Sequence, residues 1–234
     1  MTVLVRTLLR GILTRGRVLG LLGLGLVAPL LGLAIGASRE ADPLEDGAVM
    51  VAAFGLSLFV PVVTLVFASA VLGDPNEDGT LVYLWLRPVS RLRIASAAFL
   101  STLIVALPLA VLPLTLAAVA TGAGAELVAG TFVACAVATL AYAGLFTWLG
   151  LRVRRALVWG IAYILVWEGF VARAGIFPAR LAVRTHASTL LSRMTDGYEP
   201  PFEVATATAV VVPLVTVVLA VLLTTRRLLR QDVA

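Results

Sequence analysis

One carboxylate stands inside an apolar run: Glu168, in LVWEGFVARAG. A carboxylate surrounded by hydrocarbon is costly, and where one persists it marks a candidate functional site. The plainer reading pairs it with Arg173, five residues on, or sets it at a membrane boundary beside Trp167. A second concentration of chemistry is DPNEDGTLVYLWLRPVSRLR, residues 74–93, where acids, aromatics and arginines follow one another between two long apolar stretches. Other chemistry is excluded by residue types. The chain has no lysine, so it cannot hold the GxxxxGK[ST] loop whose lysine reaches the β and γ phosphates of a nucleotide. A single histidine, His186, leaves no HExxH and no two-histidine metal site within one chain, and it is expected to be solvated or interfacial. Cys135 is alone, which leaves no disulfide framework and no CxxC pair. There is no GxSxG elbow, no aspartate pair suited to proteolysis, and no string of intramembrane acids to relay protons.

The elements that must position these residues are membrane spans. Of the 234 residues 61% are hydrophobic and only 13% charged, and mean hydropathy is +1.05. Soluble domains carry about a quarter charged residues. The length suits a single membrane domain over 1–234, with nothing left for a soluble catalytic domain. Apolar runs fall near 18–36, 48–73, 94–120, 127–151, 156–174 and 204–225. A helix of about 20 residues crosses a hydrocarbon core of about 30 Å. The runs lack the period-two alternation of a membrane β-barrel, so the expected fold is all-α with six transmembrane helices. Pro108 and Pro113 predict a kink or a wide turn in the third span. The N-terminal arginines precede an apolar run as in a signal peptide, but no small-residue cleavage pattern follows, so the segment is read as mature sequence.

Charge orients the spans. Six crossings put both termini on one face, and that face holds thirteen of the 18 arginines but four of the 13 acids, a net of +9 against −4 opposite. By the positive-inside rule it is cytoplasmic, and residues 74–93 form a cytoplasmic loop. The overall charge of +5 therefore reads as topology and not as a nucleic-acid surface. Within about 2–16, Arg6 and Arg10, with Arg17 just beyond, share a helical face opposite Val5, Leu8, Leu9 and Ile12. That pattern predicts an amphipathic helix lying in the interface, its arginines toward lipid phosphates. Residues 175–203 are semi-apolar and too interrupted to span. They predict one or two short helices dipping into the outer leaflet, ended by Asp196-Gly197 and Pro200-Pro201.

The loop resembles the membrane subunits of type-2 ATP-binding-cassette (ABC) exporters. In that family an acid-rich turn, Gly-Thr-Leu, an apolar helix and an Arg/Lys-Pro-Val/Ile-x-Arg element follow span two. Here they are Glu77-Asp78-Gly79-Thr80-Leu81, then Val82-Tyr83-Leu84-Trp85-Leu86, then Arg87-Pro88-Val89-Ser90-Arg91. The layout is similar along the whole chain, and Trp167-Glu168-Gly169 before the outer segment is also shared. Two departures stand out. IASAAFL replaces the usual lysine at the start of span three, and the outer segment is too short for an extracellular domain.

The resemblance implies a type V exporter-like permease in a bacterial plasma membrane, a homodimer served by two soluble ATPase subunits that hold the ATP and Mg. No cofactor, metal or nucleic acid is implied for this chain. In the family the loop after span two is a coupling helix, the interfacial helix moves with it, and the outer helices form a gate. This makes Glu77 through Leu81, Tyr83, Trp85, Arg87, Pro88 and Arg91 the coupling candidates, and Glu168, Phe177 and Pro178 the gate candidates. The cargo expected from Leu, Val and Ala-rich spans is hydrophobic or amphipathic. Competing readings are an ABC-type subunit serving metal-site or haem-protein assembly, a non-transporting scaffold, and a secondary transporter, which would need more intramembrane charge.

Overall fold

The computed structural model describes residues 1–82 and 89–230. Among these, every regular element is a helix, and six are long and apolar enough to cross a membrane. After α1 (Thr2–Ile12) the spans are α2 (Arg15–Ala37), then Pro43–Glu77, α5 (Arg91–Ala120), α6 (Ala125–Arg152), Ala156–Arg173 and α10 (Thr206–Arg230). Span two is composite: α3 (Pro43–Met50), a π-helical stretch Val51–Phe59, and α4 (Val60–Glu77). Span five begins as α7 (Ala156–Ala162), widens to π geometry at Tyr163–Glu168 and ends in a 3₁₀ turn, Val171–Arg173. Between spans five and six lie α8 (Ile176–Ala179) and α9 (Val183–Met194).

Local signals explain several boundaries. Asp42 caps span two, its Oδ1 accepting from the amides of Leu44 and Glu45 at 2.9 and 3.3 Å, with Pro43 at the first helical position. The third span stays α-helical through Pro108 and Pro113, and the wide turns fall in spans two and five instead. In span two the cause is local: Pro61 has no N–H to return to the carbonyl of Ser57, and the Ser57 hydroxyl donates to the Ala52 carbonyl at 2.9 Å.

Spans two and four are innermost, and spans one and six the most exposed. With no hydrophobic drive between helices in lipid, close packing needs small residues. Gly25, Ala28 and Gly32 form the buried stripe of span one, and Gly32 rests on the backbone of Ala117 in span three. Gly150 in span four rests on the Ser69 carbonyl of span two, and Gly73 lies over Gly150 in return. Tyr142 and Phe146 stack at 5.5 Å on span four, and Tyr163 of span five meets Phe146 edge-on at 5.9 Å. α1 buries Leu4, Val5, Leu8 and Ile12 against the spans, leaves Arg6 and Arg10 exposed, and receives the Ser101 hydroxyl on its Val5 carbonyl at 3.3 Å.

His186 corrects the expectation of a solvated side chain. It is 1% exposed on the inner face of α9, and its Nε2 donates to the Arg180 carbonyl at 3.0 Å. Burial holds the ring below its ordinary titration range, and the carbonyl partly offsets this. The reason is that α9 packs against span four instead of lying on a surface.

Replacing Gly150 with valine drives a side chain into the Ser69 backbone. Gly150→Val is expected to cost about 1–3 kcal/mol or abolish folding. Gly23→Ala, which meets nothing within 4 Å, is expected to leave stability unchanged or slightly raised. Thermal unfolding in detergent micelles measures both.

Candidate functional site

Span two runs on past the apolar run and places Asp74 and Glu77 in its last helical turn. Carboxylates at a helix C-terminus oppose the macrodipole, so each needs a partner, and each has one from another span. Asp74 pairs with Arg17 at 2.8 Å. Arg17 lies in the first turns of span one and not on the N-terminal helix, which ends at Ile12. The pair is 27% and 49% exposed, so its contribution to stability is below about 1 kcal/mol and its effect is one of position. Glu77 Oε1 accepts the backbone N–H of Arg155 at 2.7 Å. Arg155 holds the left-handed conformation (φ 55°, ψ 47°) and precedes the first turn of span five, so Glu77 lies at a helix start where negative charge is favoured.

The chain then turns sharply. Gly79 takes φ 69°, a value that L side chains rarely adopt. The Leu81 amide folds back to the Pro75 carbonyl at 2.9 Å, the Thr80 hydroxyl points to the same oxygen at 3.4 Å, and Leu81 is buried. Asp78 and Thr80 face α1 across a cavity of about 440 Å³ that Leu8, Gly11 and Ile12 close from the other side. Tyr83, Trp85, Arg87 and Pro88 lie outside the described residues. Arg91 is the first residue of span three. Three chain segments therefore meet on the face that carries the N-terminus: the start of span one, the end of span two, and the turn between spans four and five.

On the opposite face Glu168 is 2% exposed at the end of the π stretch of span five. A buried carboxylate must have its oxygens satisfied. Oε1 accepts from the Tyr163 hydroxyl at 3.1 Å and the Val183 amide at 3.0 Å, and Oε2 from the Arg184 amide at 3.3 Å. Tyr142 of span four lies against the same carboxylate. Val183 and Arg184 open α9, so Glu168 caps that helix from a different span. The pairing with Arg173 is not formed: Arg173 instead lines a cavity that Arg184 also enters. Phe177 is 82% exposed, and Pro178 is half-buried in α8.

The lone intramembrane acid was visible in the sequence, but its partners were not. Two are main-chain amides, which carry no residue signature. Arg155 gave no signal either, because a non-glycine residue in the left-handed region is not marked by its type.

Removing the Glu168 carboxylate orphans two amides and a hydroxyl. Glu168→Ala is expected to destabilise the protein by about 1–3 kcal/mol, with Glu168→Gln milder. Cleavage in the 195–203 segment should speed up in parallel, and Glu126→Gln, on an exposed position, should change neither. Unfolding curves and timed proteolysis in micelles check this.

None of the curated proteins compared with the chain matches it. Residues 15–178, more than half of the chain, match the model of a family described as ABC-2 family transporter protein. The six helices of spanning length, three of them linked on one face through Asp74 and Glu77, fit a permease subunit of that kind, and the chain belongs to the ABC-2 family of transporter membrane proteins.

Proposed function

We propose that this chain is the permease half of an exporter driven by ATP that separate subunits hydrolyse. Two copies form the pathway, and two soluble ATPase subunits carry ATP and Mg on the face that bears the N-terminus. The missing lysine supports the division of labour, since a phosphate-binding loop cannot be built here. The cargo is hydrophobic or amphipathic, in keeping with spans dominated by Leu, Val and Ala.

The observation that carries the reading is the tethering of the turn after span two. Asp74 links it to span one through Arg17, and Glu77 links it to span five through Arg155. A partner pressing on residues 78–91 would act on three spans at once. Tyr83 and Trp85 are the anchors, because rigid aromatic side chains carry a large share of binding energy in small interfaces. Arg87, Arg91 and Arg93 meet acids on the ATPase or lipid phosphates. α1 rides on this assembly, with Arg6 and Arg10 turned to the headgroups.

In a reconstituted complex, Tyr83→Ala/Trp85→Ala is expected to lower substrate-stimulated ATP hydrolysis roughly tenfold or more, while each subunit alone is unaffected. Wild-type stimulation in the double variant would sink the coupling claim. Orientation is tested separately in a Cys135→Ser background. An impermeant maleimide added to intact cells should label Glu199→Cys, and should label Thr7→Cys only after permeabilisation.

A further inference from the structure

A second cavity, of about 450 Å³, opens on the face opposite the N-terminus. Arg173 enters it from the end of span five, and Arg184 and Ser188 from α9. Val49, Ala52 and Phe202 supply apolar wall. The Arg184 guanidinium is pre-oriented, because its Nη1 donates to the Ser57 hydroxyl at 3.1 Å and that hydroxyl is itself held by the Ala52 carbonyl. Its remaining donors are not taken by an ion pair: among the described residues the pairs are Arg17–Asp74 and Arg193–Glu203, and neither includes Arg173 or Arg184. Glu168 is the acid whose charge reaches Arg184, but its oxygens already serve Tyr163 and the two α9 amides. Burial lowers the proton affinity of Arg184, and the like charge of Arg173 lowers it further. A bound anion would offset both the lost hydration and the repulsion.

The depth of the cavity narrows the ligand. Span two is 35 residues long, whereas about 20 cross the hydrocarbon core. At 1.5 Å per residue, Val49 lies roughly 10 Å below its start at Pro43, at the edge of the apolar run that begins near 48, and Ser57 lies roughly 12 Å deeper. A guanidinium pair favours an oxyanion with several acceptor atoms, and the apolar wall beside it favours hydrocarbon. A phosphate-type oxyanion could arrive free or on a lipid, and the lined wall selects the second.

We propose that this cavity binds the anionic headgroup of a membrane amphiphile, with Arg173 and Arg184 taking the oxyanion and Val49, Ala52 and Phe202 taking the adjoining hydrocarbon. The site does not depend on ATP coupling, so it stands or falls separately from the transport reading.

The test uses the full chain in micelles doped with phosphatidylglycerol or phosphatidylcholine, read by native mass spectrometry of retained lipid. Wild type should retain phosphatidylglycerol roughly tenfold better than phosphatidylcholine. Arg173→Gln, at an exposed position that should not disturb folding, should lose most of that preference, and Arg173→Gln/Arg184→Gln all of it. Arg184→Lys should retain part, through charge without the planar fork. Arg180→Gln, an exposed arginine outside the cavity, should behave as wild type. An unchanged preference in Arg173→Gln overturns the proposal, as does an equal loss in Arg180→Gln. Displacement of the lipid by inorganic phosphate at matched concentration also overturns it, by assigning the arginines to the free ion.

Discussion

Spans two and four meet backbone to backbone, Gly150 on the Ser69 carbonyl and Gly73 over Gly150, and both faces of the protein take their geometry from that contact. Lipid offers no hydrophobic reward for helix association, so the approach must be made by small residues whose main chains can touch. With this pair fixed, the Asp74–Glu77 turn of span two emerges beside the turn after span four, where Arg155 receives it. On the other face Tyr142 and Phe146 hold Tyr163, and with it the carboxylate of Glu168. A side chain at Gly150 would separate these helices and displace the partners on both faces together.

The two carboxylates solve the same electrostatic difficulty at different depths. Glu77 ends one helix and would be disfavoured by that helix's own dipole, but it lies at the start of span five. Glu168 lies near the far end of span five and meets the start of α9. Neither acid relies on an arginine side chain, so neither needs a long flexible cation to be ordered in or near lipid. Arginine is left free for other work: Arg17 positions the turn, and Arg173 and Arg184 line the far cavity.

Much of this fold could be read from the residues. Six apolar runs gave six helices, because hydropathy over about 20 residues is a strong and local signal. The loop after span two stood out because acids, aromatics and arginines are rare next to such runs. The apolar face of α1 could be read from Leu8 and Ile12 at helical spacing. What could not be read was set by tertiary contact. Pro108 and Pro113 do not interrupt span three, whereas Ser57 and Pro61 accompany the wide turn of span two. His186 is buried because α9 packs on span four, which no pattern within 175–203 announces. Arg17 belongs to span one because α1 ends at Ile12, although the wheel of arginines continues through it. Arg184 carries no distinguishing signal in the sequence, and only the fold sets it beside Ser57 and Arg173.

Span five carries a mechanical consequence. Its start is pinned through the amide of Arg155, the residue just before it, and its far end through Glu168, each to a different structural element. A helix held in this way behaves as a connecting rod, in which displacement of one pin reappears at the other. The stretch next to the Arg155 pin is regular α-helix, and the stretch next to the Glu168 pin is π-helical. A displacement at the Arg155 pin would therefore pass through regular α-helix before it met the π-helical turn that presents Glu168 to α9.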